Sequence, residues 1–490
     1  MDQSWMQNGG IVIVGLGPGE ANLLTREAWD WLCQIPRVYV RTRHHPTVAG
    51  FPEGLEVISF DDLYDQGEAF EEVYAGIVTE VLRLGQQPGG VIYAVPGHPY
   101  VAEATSPEIA RRARELGLVV RVVEGVSFLE PTFTALELDP YPRLALVDAL
   151  ELGPAHMPGF PPDMPALVAQ IYSRQVAAEV KLTLSAVYPD THPVRLVHAA
   201  GSPRQKVEDL PLYEIDRSAY VGLLTSLYVP PLEAHTSFEG FQDIIARLRA
   251  PDGCPWDQKQ THQTLRAHLL QETYETLEAL DSDDPQEMCE EFGDLLLQIV
   301  LHAQIASEYG EFSMAEVVRG ISEKIIRRHP HVFGETAVEG VGEVLSNWEK
   351  IKEAERAANG TAETKGLLDG LPQALPGLNL AHEIQDRAAR VGFDWETIDP
   401  VVAKVREELE EVLGASEEER EGELGDLLFA VVNLARWYQV DPENALRQTN
   451  RRFRQRFAHI EKRAREAGRS LNEMTLAEMD AWWDEAKRLE

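Results

Sequence analysis

Two stretches of the sequence share one pattern: ETYETLEALDSDDPQEMCEEFGDLLL (residues 272–297) and ELEEVLGASEEEREGELGDLLF (residues 408–429). Each contains Glu-x-x-Glu, a spacer, and then Glu-x-x-Asp-Leu-Leu, with 15 spacer residues in the first copy and 11 in the second. Each spacer includes a helix-breaking stretch, and an apolar helical run follows each second acidic pair. The repeat therefore predicts two copies of one helical unit, each built around a pair of helices.

The character of the sequence changes near residue 234. Before it, short β-branched runs such as residues 11–14 alternate with helical stretches, which favours an α/β fold with a largely parallel sheet in two subdomains. Residues 180–188 and 194–200 are expected to be extended. After the change, apolar residues recur with helical spacing and strand signals vanish. We therefore expect a multidomain protein, with an N-terminal α/β part and C-terminal all-α tandem helical bundles.

The chain is strongly acidic, with 45 Lys and Arg against 81 Asp and Glu and a net charge of −36. A surface of this charge repels polyphosphate backbones, so no nucleic acid polymer is expected as a partner. Three cysteines without a CxxC pair indicate reduced thiols rather than a disulfide framework. Because neither a secretory signal nor a membrane-length apolar run is apparent, we expect a cytoplasmic protein without membrane attachment.

The acidic residues of the repeat are candidates for a metal centre. Residues three apart on a helix share a face, so two facing helices can gather four carboxylates into a small volume. Clustered like charges beside an apolar face are costly without a counter-ion, and oxygen-only ligands favour Mg²⁺ or Mn²⁺ over zinc. A single motif of this kind usually marks a solvated face, but its duplication argues against that alternative. The predicted metal ligands are Glu272, Glu275, Glu291 and Asp294 in the first copy, and Glu408, Glu411, Glu423 and Asp426 in the second.

A cation held by carboxylates suits phosphoryl chemistry. Such a cation can bridge the phosphates of a nucleotide and lower the pKa of an attacking water. Basic side chains should then contact phosphates that lie away from the metal. The candidates are Lys404, Arg452 and Arg456 for the second copy, and Lys259, Arg327 and Arg328 for the first.

Residues 236–490 contain a series of specific motifs: CPWD (254–257), QETYE (271–275), EEFGDLL (290–296), RRHPHVFG (327–334), VGFDW (391–395), VREELEEV (405–412) and ELGDLLFAVVNLAR (423–436). With these motifs the segment resembles the MazG family of nucleoside triphosphate pyrophosphohydrolases, in its tandem two-copy form. The resemblance implies an all-α fold, Mg²⁺ dependence, hydrolysis of NTPs or dNTPs to monophosphate and pyrophosphate, and a homodimer formed through the helices. Removal of unwanted nucleotides is the expected role.

The family motif begins Glu-Glu-x-x-Glu, and only the second copy keeps its leading acid. The second copy has Glu407 before Glu408, whereas the first has Gln271 at the corresponding position. The second copy is therefore predicted to be the principal catalyst, with water attacking the α-phosphorus and Glu407 accepting the proton. The predicted catalytic set is Glu407, Glu408, Glu411, Glu423 and Asp426.

Three Gly- or Pro-containing turns follow successive strands of the front part, in GLGPGE (15–20), VPGHPYVAEAT (95–105) and EGVSFLEP (124–131). Turns at one edge of a sheet line a cleft. A dinucleotide fingerprint is disfavoured, because G-x-G-x-x-G requires glycine where Glu20 stands.

Residues 10–230 resemble the tetrapyrrole methylases, which are S-adenosylmethionine-dependent and have two α/β subdomains. The resemblance places Gly15, Gly17, Pro96, Gly97 and Ser127 near that cofactor. One departure is Gly-His-Pro at residues 97–99, where the family has Gly-Asp-Pro. The fused arrangement resembles bifunctional proteins of the YabN type.

The predicted organisation is a methylase-like domain at 1–232, a MazG-like domain at 233–358, a linker at 359–374 and a second MazG-like domain at 375–490. The leading function is pyrophosphohydrolysis of nucleoside triphosphates. Two alternatives stay open at this point. One is an S-adenosylmethionine-dependent methyltransferase with a regulatory helical half, and the other is a binding scaffold in which both sites have decayed.

Overall fold

A computed structural model describes residues 9–66, 70–358, 366–372 and 374–489 of the chain. The chain divides into two compact units, Met1–Gln258 and Lys259–Glu490. The predicted linker includes residues 359–365 and 373, which lie outside the described residues. Across the described ranges, no helix has both the length and the apolarity needed to cross a lipid bilayer.

The first unit begins with alternating strands and helices: β1 Ile11–Gly15, α1 Arg26–Gln34, β2 Arg37–Val40, β3 Glu56–Ser59, α2 Asp61–Gln66, α3 Phe70–Gly85, β4 Val91–Val95, α4 Thr105–Glu115, β5 Val120–Val123 and α5 Leu129–Leu136. The five strands form a parallel sheet in the order β3-β2-β4-β1-β5. Successive residues of a strand point to opposite faces, and helices cover both faces of this sheet. Ile11 and Ile13 of β1 therefore enter one core, while Val12 and Val14 enter the other.

The next elements of this unit are β6 Ala145–Asp148, α6 Ala149–Leu152, β7 Ala166–Ala169, α7 Arg174–Leu184, β8 Pro193–His198, β9 Lys206–Pro211, β10 Thr225–Val229 and α8 Phe238–Arg249. The five strands form a second sheet in the order β6-β7-β10-β8-β9. Only β6 and β7 pair in parallel, and the other neighbours are antiparallel. The predicted α/β fold with two subdomains is confirmed, and the parallel sheet is the first of the two.

The expectation of an extended segment at residues 180–188 was wrong, because α7 runs to Leu184. The Ser173 side chain caps this helix by accepting a hydrogen bond from the backbone of Val176. Val176, Val180 and Leu184 are buried and lie four residues apart, which places them on one face of a helix. The alternating apolar residues of this stretch therefore fit a helical stripe as well as a strand.

The second unit is helical throughout its described residues, as predicted for the C-terminal part. In the first copy the chain reverses at Asp283, whose φ of 57° is left-handed, and the Asp284 side chain then caps the next helix. The helices are α9 His262–Ser282, α10 Pro285–Glu308, α11 Met314–Arg328, α12 Pro330–Phe333, α13 Val341–Ala358, α14 Gly377–Arg390, α15 Ile398–Gly414, α16 Arg420–Trp437, α17 Pro442–Glu466 and α18 Leu476–Leu489.

Candidate metal centres and cofactor cleft

The second copy brings five carboxylates together where α15 packs against α16. Their oxygens form two sets of three, each within 4.8 Å: Glu407, Glu408 and Glu411, and Glu408, Glu423 and Asp426. Glu408 belongs to both sets and is only 5% exposed. The i, i+3 spacing places Glu408 beside Glu411 on one helix and Glu423 beside Asp426 on the other.

The charge of this cluster is only partly compensated by the protein. The Lys404 ammonium lies 2.8 Å from Glu407 Oε1 and 2.6 Å from Glu408 Oε1, and these hydrogen bonds raise the pKa of Lys404. Glu408 Oε2 is buried without a hydrogen-bond partner. Burial raises the pKa of Glu411, and the charges of Glu408 and Glu423 raise it further.

The first copy forms a related cluster between α9 and α10. Oxygens of Glu272, Glu275 and Glu291 lie within 4.8 Å of one another. Burial is the first cause of the raised pKa values of Glu272 and Glu291, and the charges of Glu275 and Asp294 add to it. Asp294 is therefore near the set without belonging to it.

The first copy also contains an uncharged neighbour of the cluster. Gln271 Nε2 donates a hydrogen bond of 3.1 Å to Glu275 Oε1. Its counterpart in the second copy is the acid Glu407, so the two clusters differ in their donor atoms and in their charge.

Both clusters fit a hard divalent cation. The donors are all oxygens, which Mg²⁺ and Mn²⁺ prefer. A buried carboxylate oxygen without a partner stands in each cluster, Glu291 Oε2 in the first and Glu408 Oε2 in the second. Such atoms are costly unless a hydrogen bond or a metal satisfies them, and a bound cation would do so.

The basic side chains that were predicted to contact phosphates have different partners in the structure. Lys404 contacts the carboxylates themselves. On α17, Arg452 Nη2 donates to Thr449 Oγ1 at 2.9 Å, and the Arg456 guanidinium lies 5.4 Å from the ring centroid of Trp483. In the first copy, Arg327 and Arg328 both pair with Glu355 of α13, at 2.7 and 2.6 Å.

In the first unit, the turns after three strands converge at the carboxyl edge of the parallel sheet. Gly17 and Gly97 exchange two backbone hydrogen bonds, with N to O distances of 3.2 and 2.7 Å. A Cβ on Gly15 would lie 2.6 Å from the backbone nitrogen of Gly125, and a Cβ on Gly125 would overlap the carbonyl oxygen of Gly97. Only glycine fits this approach, so Gly125 belongs with the predicted Gly15, Gly17 and Gly97.

The same edge contains buried polar residues that form hydrogen bonds within and between the turns. Ser127 is 2% exposed, and its hydroxyl donates to Glu130 Oε2 at 2.6 Å and accepts from the Leu129 backbone at 3.0 Å. Its hydroxyl is therefore already engaged at the start of α5. Thr47, in the segment after β2, donates to the carbonyl of Leu16 at 3.0 Å.

A buried ion pair near this edge was missed in the sequence. Arg41, directly after β2, pairs with Glu103, whose side chain is almost fully buried. Arg41 also donates to the hydroxyls of Tyr64 and Tyr74, each at 2.9 Å. The available signal was a charged residue after each of two strand-like runs, with Arg41 directly after VYV and Glu103 eight residues after VIYAV. This network ties the segment after β4 to the segment after β2.

Comparisons with known proteins also distinguish a MazG-like part of the chain from a methylase-like part. Residues 260–333 match the family described as the MazG nucleotide pyrophosphohydrolase domain. The chain is 43% identical to the nucleoside triphosphate pyrophosphohydrolase/pyrophosphatase MazG of Thermotoga maritima, over 52% of this chain and 97% of that protein. The chain belongs to the MazG family. Its MazG part is also 43% identical to the Escherichia coli K12 protein named nucleoside triphosphate pyrophosphohydrolase, over 50% of this chain and 95% of that protein.

The MazG part is joined to a tetrapyrrole methylase domain, because residues 10–216 match the family described as tetrapyrrole (corrin/porphyrin) methylases. Over 98% of its length the chain is 42% identical to the uncharacterized protein YabN of Bacillus subtilis, of which it covers 99%. Among solved structures, uroporphyrin-III-C-methyltransferase from Thermus thermophilus aligns with 46% of this chain and 92% of its own, at 21% identity and a TM-score of 0.36.

Proposed function

We propose that the second unit is a Mg²⁺-dependent nucleoside triphosphate pyrophosphohydrolase, which converts an NTP or dNTP and water to the monophosphate and pyrophosphate. The observation that carries the proposal is the group of five carboxylates around Glu408. Glu408 itself is buried, and one of its two oxygens has no hydrogen-bond partner. The names of the Thermotoga and Escherichia relatives support the reaction class. Removal of unwanted nucleotides in the cytoplasm is the role that we propose.

Each of the five carboxylates of the second copy has a defined role in the proposed reaction. Glu408, Glu411, Glu423 and Asp426 hold the cation, which when bound neutralises phosphate charge and lowers the pKa of water. Glu407, whose side chain is 55% exposed, is accessible to solvent and accepts the proton of the attacking water. The water oxygen bonds to the α-phosphorus, the bond from that phosphorus to the bridging oxygen breaks, and pyrophosphate leaves.

Basic side chains stabilise the negative charge of the triphosphate. Lys404 lies one turn before Glu408 on the same helix, so its ammonium can turn from the carboxylates to a phosphate. Arg452 and Arg456 lie one turn apart on α17, and we propose that both contact the phosphates remote from the cation.

The product pattern tests the reaction. A panel of NTPs and dNTPs with Mg²⁺ should yield monophosphate and pyrophosphate. Release of diphosphate and orthophosphate instead would overturn the reaction class.

Paired substitutions test which copy is the principal catalyst. Glu411→Gln should abolish pyrophosphate release, while Glu275→Gln should leave most of it. Glu410→Gln is a matched control, because Glu410 lies on the same helix as Glu411, is exposed, and belongs to neither set of carboxylates. If Glu275→Gln alone inactivates the protein, the first copy is the catalyst.

We propose that the helices also form a homodimer. Phe292, Leu296 and Ile299 of α10 are between 37% and 49% exposed and lie on one face, at i, i+4 and i+7. Leu424, Leu428 and Val431 repeat this spacing on α16. An apolar stripe of this kind is typical of a helix that packs against another. Light scattering should give twice the chain mass, and Leu428→Glu should reduce it toward one chain.

For the first unit we propose S-adenosylmethionine as the ligand, held where Gly15, Gly17, Pro96, Gly97 and Ser127 surround the carboxyl edge of the sheet. The close approach of Gly15, Gly97 and Gly125 supports this, because glycine at these positions lets the backbones of the three turns meet at the carboxyl edge of the sheet. Methyl transfer, with the helical half regulatory, is the second candidate function. Calorimetric titration decides the cofactor, because absence of heat at millimolar S-adenosylmethionine would exclude it.

A further inference from the structure

The first copy contains an arginine at the position of a proposed phosphate-binding arginine of the second copy. Arg328 lies 15 residues after Ser313, the residue that caps the start of α11. Arg456 likewise lies 15 residues after Asp441, which caps α17. The Arg328 guanidinium lies 5.8 Å from the ring centroid of Trp348, and that of Arg456 lies 5.4 Å from a tryptophan ring of the second copy. The two arginines therefore occupy corresponding places in the two copies.

In the first copy, a carboxylate of α13 is bound to this arginine and to its neighbour. Glu355 Oε1 accepts a hydrogen bond of 2.7 Å from Arg327 Nε, and Glu355 Oε2 accepts one of 2.6 Å from Arg328 Nη2. The side chains of Arg328 and Glu355 are mostly buried. Hydrogen bonds from Arg328 and Arg327 lower the pKa of Glu355 to about 2, so this carboxylate is ionised near neutral pH. Guanidinium groups bind two oxygens of a phosphate group in the same way.

Residue 327 distinguishes the first copy from the second. Counted from the same capping residues, Arg327 corresponds to Gln455. An amide carries no positive charge, so the second copy cannot hold an anion between two guanidinium groups at these adjacent positions. A purely structural role is the alternative, because Arg327 and Arg328 lie in the last turn of α11, where positive side chains stabilise the end of a helix. An ion pair with that role alone would not control ligand binding.

We infer that Glu355 occupies the place of a phosphate group in the first copy and thereby closes this copy to nucleoside triphosphates. Arg327 and Arg328 form the anion site, and the Glu355 carboxylate is the anion that fills it. A triphosphate binds there only when it displaces this carboxylate, so the first copy is an autoinhibited nucleotide-binding position. The inference rests on the proposed function for the class of ligand, but it is measured as binding and does not require hydrolysis.

Equilibrium dialysis of the full chain with α,β-methylene ATP, which cannot be cleaved between its α- and β-phosphorus atoms, tests the inference. Glu355→Gln and Glu355→Ala should each bind one more analogue per chain than the wild type, because both guanidinium groups are released. Addition of Arg328→Gln to either variant should remove the gain. In the wild type, the additional site should fill only at analogue concentrations roughly tenfold higher or more, because charge-assisted hydrogen bonds to Glu355 must first break.

Glu343→Gln removes one negative charge from an exposed position of the same helix, and it should leave the number of bound analogues unchanged. Inorganic tripolyphosphate should displace the added analogue from Glu355→Gln, and failure to displace it would overturn the assignment to the two arginines. Equal numbers of bound analogues in the wild type and in both Glu355 variants would overturn the inference. Pyrophosphate release by the wild type alongside that result would leave the proposed function standing. A gain of one analogue in a chain that releases no pyrophosphate would overturn the proposed function alone.

Discussion

The Nζ atom of Lys404 lies 2.6 Å from Oε1 of Glu408, so the protein places its own cation on the most buried carboxylate of the second copy. A second oxygen, Glu407 Oε1, receives the same ammonium at 2.8 Å. An ammonium and a divalent cation compete for the same oxygens, because each neutralises the same negative charge. Removal of the Lys404 charge should therefore change the affinity of the second copy for a divalent cation.

Lys404→Met should tighten Mg²⁺ binding to the second copy roughly threefold to tenfold, because a competing charge a few ångströms away is removed in a largely solvated site. Metal-free Lys404→Met should melt at a lower temperature than the wild type, since Glu408 then loses its counter-ion. Calorimetric Mg²⁺ titration and thermal unfolding measure the two effects. Lys462→Met, on an exposed position of α17, is the control. Equal affinity in Lys404→Met and the wild type would contradict the competition.

Mg²⁺ should raise the melting temperature more than NaCl does at equal ionic strength. A ligand that binds only the folded state stabilises it by about 2.7 kcal/mol at 100 times its Kd. Salt only screens the remaining acids of this chain, whose net charge is −36. Differential scanning fluorimetry in the two salts gives the comparison. A variant with Glu411→Gln and Asp426→Asn should lose part of the Mg²⁺ effect, and an equal response to both salts would rule out specific binding.

The carboxylate clusters could be predicted from the sequence, because their geometry is local. Glu408 and Glu411 must share a helix face at a spacing of three residues, and a short connection returns α16 to α15. The partner of Lys404 could not be predicted in the same way. A lysine at i−4 from Glu408 reaches a carboxylate or a phosphate equally well, and the tertiary environment decides between them.

In the first unit, one secondary-structure element and one glycine contact could not be predicted from the sequence. Residues 180–188 alternate in polarity like a strand, yet Val176, Val180 and Leu184 bury one helical face in α7. A short apolar run fits both the two-residue period of a strand and the roughly 3.6-residue period of a helix. The close packing of Gly125 could not be predicted, because its neighbours Gly15 and Gly97 follow other strands of the sheet. The residues next to Gly125 in the sequence give no sign of this backbone contact.

The free energy of unfolding should fall below about pH 6.5 because of a histidine pair in the first copy. His262 Nδ1 and His302 Nδ1 are 2.7 Å apart with stacked rings, and Glu311 lies 3.9 Å from His262 Nε2. Burial lowers the pKa of His302, and His262 lowers it further. A lowered folded pKa favours neutral histidine, so this contribution is present above the ordinary pKa and is lost as the pH falls through the folded value.

His302→Asn removes this titration, so its melting temperature should change less between about pH 7.5 and about pH 5 than that of the wild type. His382→Asn, a substitution in the second copy, is the control for loss of a histidine. The prediction is wrong if His302→Asn and the wild type have parallel pH profiles.

Gly125→Ala should destabilise the first unit and weaken S-adenosylmethionine binding at least tenfold. The added methyl group would overlap the Gly97 carbonyl oxygen and lie 2.9 Å from the backbone of Gly15. Backbone atoms of two turns must then separate, which costs about 1–3 kcal/mol when a packed region is overfilled. Gly159→Ala is the matched control, because a Cβ there meets no atom within 4 Å and its φ is not left-handed. Thermal unfolding and calorimetric titration distinguish the two variants. If Gly125→Ala binds S-adenosylmethionine as tightly as Gly159→Ala while melting lower, the three turns hold the sheet edge together but do not form the cofactor cleft.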